Sequence, residues 1–358
     1  MTIGNLTAKN PYFVTEAKDR DIDELGPVWE ENLPVLSTTS KKFQWYYADN
    51  PLGKGVCLLL HEAAGSKAVG AAGIGFRRFI INGKEVTAAL VADLAVNKEH
   101  RTLYPALMLQ RRIIELASEG AAFIYGMPNT GATAVFNRLG YKKIAVISRY
   151  ALVIRSAEYV KKRLNGSVLS EPASSLVDAF RNVLVLKTWK GAPRGYAVDI
   201  IKTFDGRFDA LWERASRNFR CTAARDSRFL NWRYSACPER QYFAFTISER
   251  HGKGALAGYV VYYIKDRAVH IDDMLSVDND GALEALLIAF VRSAKEMDMD
   301  SISIGVSGGH VLTGMLERHG FRKRTDARDI EVHAHPCGDV KQIENPDWSF
   351  TWGDQDNS

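Results

Sequence analysis

A turn between a strand and a helix carries the first residues that could do chemistry. In the segment VADLAVNKEHRTLYPALMLQRR, residues 91–112, a strand is predicted to end at Val96 and a helix to begin near Leu103. Arg101 lies in the turn between them. A helix N-terminus offers unpaired backbone N–H groups and the positive end of the helix dipole, so this turn could hold a phosphate. A solvated arginine at an ordinary helix start explains the segment equally well.

A second segment, GMPNTGATAVFNRLGYKK at residues 126–143, has a regular spacing of small and aromatic residues. Asn129 precedes a predicted helix over residues 130–139, Phe136 lies within that helix, and Gly140 follows its end. Glycine at this position is typical of a helix C-terminus. The two segments together therefore predict the order strand, turn, helix, short buried strand, helix.

Two parts of the chain are similar to each other, which indicates a repeated fold. FQWYYADNP at residues 43–51 returns as LNWRYSACP at residues 230–238, with Trp, Tyr and Pro in register. RLGYKK at residues 138–143 likewise returns as RHGFRK at residues 318–323. The matches occur in the same order at nearly constant spacing, although coincidence among common residues is the alternative.

The spacing N-x-x-A-x-x-x-F-x-x-x-G-Y from Asn129 to Tyr141 resembles the GNAT superfamily of acyl-CoA N-acyltransferases. Residues 96–106 stand where that family has its V-x-x-x-x-R-G-x-G-x-G/A pyrophosphate loop. The resemblance covers residues 12–155 and, more weakly, residues 196–335. It implies an α+β fold of two tandem GNAT-like domains, each a mostly antiparallel mixed sheet flanked by helices, with a splayed central strand pair. The predicted division is an N-terminal domain at 1–160, a connecting segment at 161–195, a C-terminal domain at 196–340 and a tail at 341–358.

The resemblance also implies which residues bind the acyl donor, acetyl-CoA or another acyl-CoA. The pantetheine arm pairs with exposed main chain, the pyrophosphate lies on the loop amides, and two further side chains line the channel. The implied donor-binding residues are Leu94, Ala95, Val96, Arg101, Thr102, Leu103, Tyr104, Ala106, Asn129 and Phe136.

The sequence departs from the family pattern at three positions. Tyr104 replaces the first loop glycine, and Pro105 removes one amide donor. Phe136 stands where many family members have a tyrosine that protonates the leaving thiolate. Either the thiolate leaves without a protein acid, or Tyr125 or Tyr141 substitutes, or this half binds without catalysis.

The candidate general base is Asp93, on the strand that leads into the implied donor site. A buried carboxylate there could accept the amine proton, whereas a hydrogen-bonded structural aspartate at a strand bulge is the alternative. His100, His61 and Glu62 are further candidates that spacing does not distinguish.

The second half lacks the phosphate signature, because Asp278 and Asp280 stand where an anion loop needs neutral amides. We therefore expect one donor site. Alternate positions of one predicted strand carry His333, His335 and Cys337, so all three would lie on one face, as metal ligands could. No fourth ligand is near, and no metal is expected.

Composition excludes several classes of protein. Of 358 residues, 46% are hydrophobic and 25% charged, with a net charge of +5, which is ordinary for a globular protein and weak support for nucleic-acid binding. The N-terminus has no signal-peptide pattern, and no apolar stretch is long enough to span a bilayer. We expect a cytoplasmic protein, with no nucleic acid or membrane partner, whose tail docks through Trp348 and Trp352.

The predicted function is acyl-CoA-dependent N-acyl transfer to an amine of a small molecule or a protein. Direct attack of the amine on the thioester in a ternary complex is the implied reaction. The candidate catalytic residues are Asp93 and Tyr141. The alternatives are a catalytically degraded binding or regulatory protein, and a FemAB-like transferase with an aminoacyl or long-chain acyl donor.

Overall fold

The computed structural model contains one mixed sheet with helices on both faces. It describes residues 10–34, 36–65, 67–155, 195–250, 254–308, 310–337 and 347–356. Almost all of the predicted connecting segment, and part of the predicted tail, lie outside the described residues.

The first half of the chain forms six strands and four helices. The strands are β1 (Tyr12–Glu16), β2 (Val56–Glu62), β3 (Ala68–Ile81), β4 (Lys84–Val96), β5 (Phe123–Gly126) and β6 (Lys142–Val153), and the helices are α1 (Ile22–Asn32), α2 (Thr39–Phe43), α3 (Leu103–Ser118) and α4 (Thr130–Arg138).

The second half repeats this order of elements with small additions. The strands are β7 (Tyr196–Ile201), β8 (Cys221–Ala223), β9 (Phe243–Glu249), β10 (Leu256–Lys265), β11 (Ala268–Ser276), β12 (Ser301–Val306), β13 (Arg322–Lys323), β14 (Ile330–Pro336) and β15 (Trp348–Ser349), and the helices are α5 (Gly206–Ala215), α6 (Ser227–Leu230), α7 (Gly281–Glu296) and α8 (His310–Arg318).

The two halves share one continuous sheet. Its main path runs β1-β2-β3-β4-β5-β14-β6-β12-β11-β10-β9-β7, and β13, β15 and β8 pair outside that path. β14 belongs to the second half in sequence, yet it lies between β5 and β6 of the first half. β6 in turn pairs with β12. Each half therefore pairs strands with the other half. The division into two separate domains that the sequence predicts does not include this exchange of strands.

Local sequence explains the elements around the site. Asn82 and Gly83 both have positive φ, 49° and 77°, as a tight turn between β3 and β4 requires. The short helix α2 gives way to a π-helical turn at Gln44–Ala48. This turn directs Tyr47 over Gly73, where a Cβ atom would lie 2.2 Å from the Tyr47 hydroxyl oxygen.

The repeated tryptophans meet between the two halves. The Trp45 indole N–H donates to the carbonyl of Trp232 at 2.7 Å, and the Trp232 indole donates to the carbonyl of Trp45 at 2.7 Å. The two rings stack with centroids 5.5 Å apart. This reciprocal pair relates the two halves by a local pseudo-twofold axis, at the sequence motif that first indicated the repeat.

The C-terminal tail docks on the body, as predicted. Trp348 is buried against Phe79, Phe123 and Phe350. The indole of Trp352 covers Gly305, where a Cβ atom would lie 2.0 Å from its Nε1 atom. Apolar burial of these rings holds the tail across both halves of the sheet.

Candidate functional site

Strands β4 and β5 diverge in the middle of the first half. They pair in parallel only from Ala88 with Phe123 to Leu90 with Tyr125. β5 then ends at Gly126, whereas β4 continues for six residues beyond Leu90. The divergence leaves a gap beside the last part of β4, which we call the first gap.

A β-bulge lies at this point of β4. The register with β3 shifts between Ala71 and Gly73, so Asp93 and Leu94 together face the single residue Ala72. Asp93 has φ 53°, in the left-handed region that few non-glycine residues adopt. Because a bulge bends its strand, it turns β4 away from β5.

Phe136 of α4 lies at the start of the first gap. It is 2% exposed, and a Cβ atom added at Gly126 would lie 2.9 Å from its ring and 3.2 Å from the side chain of Val91. The ring therefore packs where β5 ends and β4 continues, and its role in lining a donor channel stays a prediction. The Tyr141 ring lies against it, with centroids 4.5 Å apart.

The N-terminus of α3 follows β4 directly. Thr102 is its N-cap residue, and its side chain makes no capping hydrogen bond. Tyr104 is turned towards Tyr12 of β1, with ring centroids 6.5 Å apart, and Pro105 is buried in the first turn. The substitution of tyrosine for glycine thus leaves the Leu103 and Tyr104 backbone amides at the start of the helix.

Arg101 is held beside this helix start. Its Nε atom donates to the Val96 carbonyl at 2.9 Å, and its Nη2 atom donates to the Asn32 side chain at 2.6 Å. These bonds place a positive charge between the end of β4 and the first turn of α3. Such a charge favours an anion at the same helix terminus.

No protein-family model and no curated protein matches the chain in sequence. Solved structures do match it in fold. The GCN5-related N-acetyltransferase from Anabaena variabilis has a TM-score of 0.64 at 13% identity, over 91% of this chain and 73% of that one. Saccharomyces cerevisiae N-myristoyltransferase with bound myristoyl-CoA has a TM-score of 0.57 at 12% identity, over 93% and 84%. The chain has the GNAT fold.

A third structure with the GNAT fold, the GCN5-related N-acetyltransferase from Kribbella flavida, has a TM-score of 0.60 at 16% identity, over 91% of this chain and 71% of that one. Each comparison spans most of the chain, so the similarity includes both halves. The predicted α+β class and the predicted resemblance to GNAT proteins are confirmed.

The second half has a different helix start at the corresponding place. The Asp278 carboxylate accepts the backbone N–H groups of Asp280 and Ala282 at 3.0 and 2.9 Å. A protein carboxylate thus occupies amides at the N-terminus of α7, whereas the N-cap residue of α3, Thr102, makes no side-chain capping hydrogen bond. A single anion site stays a prediction.

A second gap opens between β11 and β12, which pair only from Ala268 with Ser301 to Ile271 with Ile304. It contains a cavity of about 310 Å³, whose lining combines apolar side chains such as Phe219 and Met274 with polar and charged ones such as Arg220. The tail borders this cavity, because the Ser307 backbone N–H donates to the Phe350 carbonyl at 2.9 Å.

Asp93 forms a buried ion pair. Lys42 Nζ donates to Oδ1 of Asp93 at 2.6 Å, and the Tyr47 hydroxyl donates to Oδ2 at 2.7 Å. Burial opposes the positive charge of Lys42, but the neighbouring Asp93 and Asp356 carboxylates raise its pKa above the ordinary lysine value. The alternative of a hydrogen-bonded aspartate at a strand bulge describes this geometry, and a catalytic role for Asp93 stays a prediction.

Two other predicted site residues lie at different depths. Asn129 is exposed and is the N-cap of α4, where its side chain accepts the Ala132 backbone N–H at 3.0 Å. Tyr141 is 4% exposed, and its hydroxyl has no hydrogen-bond partner among the described residues. Burial, followed by the nearby Cys337 thiol, raises the Tyr141 pKa well above its usual range. Its role as an acid stays a prediction.

The remaining candidates lie away from the bulge. His100 Nδ1 is 3.0 Å from the Tyr12 hydroxyl, and His61 Nε2 is 2.9 Å from the Thr15 hydroxyl, both on β1. Tyr125 donates to the Asp354 carbonyl at 3.2 Å. In the described ranges, no group of three His, Cys, Asp or Glu side chains could hold a metal ion, and no helix combines the length and apolar character that crossing a bilayer requires.

Sequence reasoning missed Asp356 and Lys42. Oδ2 of Asp356 accepts the Asp93 backbone N–H at 3.2 Å, although the two residues are 263 positions apart. Burial, followed by the Asp93 charge, raises the Asp356 pKa to about 6. No spacing in the sequence could reveal this contact, since the tail reaches the bulge only through the tertiary fold.

Proposed function

We propose that the protein transfers an acyl group from an acyl-CoA thioester to an amine. The observation that carries this proposal is the first gap: β4 runs past its last pairing with β5, beside a helix N-terminus whose N-cap residue, Thr102, makes no side-chain capping hydrogen bond. The GNAT fold of the whole chain supports it.

The donor binds along the end of β4 and at the start of α3. The main chain at residues 94–96 pairs with the amide groups of the pantetheine arm, as an added strand pairs with a sheet edge. The diphosphate lies on the backbone amides of Leu103, Tyr104 and Ala106, with Arg101 beside it. Phe136 and Asn129 line the channel.

The amine approaches the thioester carbon from the side of the sheet opposite to the bound donor. Its nitrogen forms a bond to the acyl carbon, the C–S bond breaks, and CoA leaves as a thiolate. The protein contributes chiefly proximity and a dry, polarised environment for the developing charge on the carbonyl oxygen. The second gap, with its mixed polar and apolar walls, supplies part of the acceptor-binding surface.

Thermal shift with CoA, acetyl-CoA, longer acyl-CoAs and an aminoacyl-tRNA tests this proposal. A ligand that binds only the native state raises Tm by mass action, so acyl-CoA is expected to raise it and aminoacyl-tRNA is not. Release of free CoA with a panel of amines then measures transfer. A Tm unchanged by every CoA compound contradicts the proposal.

A second candidate is a protein that binds acyl-CoA without turnover. The observation in its favour is that both oxygens of Asp93 already hold donors, from Lys42 and Tyr47. This candidate predicts a Tm shift with acyl-CoA but no release of CoA with any amine.

A further inference from the structure

Residues 354–356 of the tail bridge the two strands that diverge. The Asp354 carbonyl accepts the Tyr125 hydroxyl of β5 at 3.2 Å, and the Asp356 carboxylate accepts the Asp93 backbone N–H of β4 at 3.2 Å. The Asp356 side chain therefore reaches the bulge where the proposed donor site begins. It is the second carboxylate at that point, and the mechanism above does not use it.

The tail is fixed at this place by buried cations. The Asp354 carboxylate pairs with Arg77 at 3.1 Å and with Arg225 at 2.9 Å, all three side chains being at most 4% exposed. Arg233 donates to the carbonyls of Gly353 and Gln355 at 3.2 and 3.1 Å. These bonds hold the main chain on either side of Asp354, so the neighbouring Asp356 has a defined position although it lies near the end of the chain.

Asp356 also differs from Asp93 in its contacts and accessibility. Asp93 is 3% exposed and both its oxygens accept side-chain donors, whereas Asp356 is partly exposed and accepts a backbone N–H through Oδ2. A fully buried carboxylate in an ion pair is better suited to holding the bulge in place.

The Asp356 carboxylate is more basic than an ordinary aspartate, yet with a pKa of about 6 it is mostly ionised at neutral pH. Burial and the Asp93 carboxylate raise its pKa to about 6, and the Lys42 ammonium opposes this rise. Tyr46 of the π-helical turn faces it, and burial, followed by the Asp356 charge, raises the Tyr46 pKa in turn. Arg233 lies on the tail side. A base with a pKa near the working pH is the most effective proton acceptor.

From this juxtaposition we propose that the Asp356 carboxylate accepts the proton that the acceptor amine loses during acyl transfer. The inference rests on the proposed function. As the C–N bond forms, the nitrogen becomes positively charged, and its proton moves to a carboxylate oxygen of Asp356. The C–S bond breaks, the thiolate takes a proton from solvent, and Asp356 returns its proton to solvent. Asp93 is then a positioning residue that presents its backbone N–H to this carboxylate.

The test compares rates and pH profiles of the full-length protein and its variants, with acetyl-CoA and the best amine from the transfer assay. Asp356→Asn keeps an oxygen for the Asp93 N–H but cannot accept the proton, so kcat is expected to fall about 100-fold or more. CoA affinity is expected to change less than twofold. In the wild-type protein, kcat/KM for the amine is expected to decrease below about pH 6. In Asp356→Asn this decrease is expected to be absent.

Two further variants separate a catalytic role from a structural one. Asp356→Glu keeps a carboxyl group and is expected to restore part of the rate and the acidic decrease. Asp298→Asn makes the same change at an exposed carboxylate that pairs with Arg267 at the surface, away from both gaps, and is expected to behave as wild type. If Asp356→Asn folds poorly, the displaced pH profile of Asp356→Glu still reports on the proton acceptor.

The outcomes are distinct. If Asp356→Asn transfers at the wild-type rate with the wild-type pH profile, the assignment of Asp356 is overturned and the proposed function stands. If wild type binds acyl-CoA but transfers to no amine, the proposed function fails and the assignment fails with it. If Asp93→Asn alone removes the acidic decrease, Asp93 is the base and the proposal is overturned.

Discussion

At the residue scale, the site depends on charges that the fold buries in pairs. The Lys42–Asp93 ion pair is less than a tenth exposed on both sides, and Tyr47 donates to the same carboxylate. Burying two charges gains little net stability, but removing one partner leaves the other unpaired at high cost. Such a pair fixes geometry more than it adds stability, which suits the sharp bulge at Asp93.

The first prediction concerns this pair. Asp93→Asn is expected to lower the free energy of unfolding by about 3–5 kcal/mol, because Lys42 then lies buried without a counter-charge. Urea denaturation of the variant measures the loss. The double variant Lys42→Met with Asp93→Asn is the control and is expected to recover part of the stability. Wild-type stability in Asp93→Asn contradicts the role given to the pair.

The second prediction concerns pH. The Asp356 pKa of about 6 in the folded protein lies above the ordinary aspartate value of about 4, so the folded state binds this proton more tightly than the unfolded state. The contribution of this bound proton to the stability of the folded state is complete below about pH 4 and is lost as the pH rises through 6. Asp356→Asn is therefore expected to raise stability relative to wild type above pH 6, by at most about 3 kcal/mol, less a reduction for partial exposure. Thermal unfolding at pH 4 and pH 7.5 checks this, and an equal effect at both values contradicts it.

At the element scale, the position of the site follows from the bulge in β4 and the turn before α3. Gly73 lets the Tyr47 ring lie flat on β3, and that ring carries the hydroxyl which binds Asp93. A methyl group at residue 73 would meet three atoms of the Tyr47 side chain, two ring carbons and the hydroxyl oxygen, within 2.6 Å. Gly73 of β3 therefore leaves room for the Tyr47 ring, whose hydroxyl binds Asp93 at the bulge of the neighbouring strand.

The third prediction tests this packing. Gly73→Ala is expected to cost about 1–3 kcal/mol by overpacking and to displace the Tyr47 hydroxyl from Asp93. Gly314→Ala in α8 is the control, because a Cβ atom there meets nothing within 4 Å. Urea denaturation of both variants measures the difference. Equal stability of the two variants contradicts the packing described for Tyr47.

The fourth prediction tests the turn before α3. Arg101→Glu reverses the charge beside the proposed diphosphate and is expected to weaken CoA binding tenfold or more, with little change in Tm. Arg111→Glu makes the same charge change on an exposed part of the same helix and is the control. Isothermal titration with CoA measures both. Unchanged affinity in Arg101→Glu refutes the placement of the donor.

Elements that depend on nearby residues could be predicted from the sequence. The start of α3 at Leu103 and the extent of α4, Thr130–Arg138, agree with the prediction, because residue spacing and a glycine after a helix end are local signals. The π-helical turn at Gln44–Ala48 could not be predicted, since it is shaped by packing on β3. The contacts of Asp93 with Lys42 and Asp356 join residues 51 and 263 positions apart, which no sequence pattern encodes.

At the scale of the whole molecule, two similar halves have acquired different roles within one sheet. The reciprocal hydrogen bonds of Trp45 and Trp232 relate the halves, while β14 and the tail of the second half complete the first. The helix starts differ, since Asp278 accepts a backbone N–H of α7, whereas the N-cap residue of α3, Thr102, makes no side-chain capping hydrogen bond. We therefore assign acyl-CoA to the first gap, and to the tail both the support of the bulge and the proposed proton acceptor.

Hydrogen–deuterium exchange with and without acyl-CoA tests that assignment most directly. The account predicts slower exchange of backbone amides in peptides covering residues 91–106, because pantetheine pairs with the end of β4 and the diphosphate binds the first turn of α3. Peptides covering residues 272–283, at the corresponding place in the second half, are expected to exchange unchanged. Protection confined to residues 272–283, or protection at neither place under saturating acyl-CoA, would contradict the account.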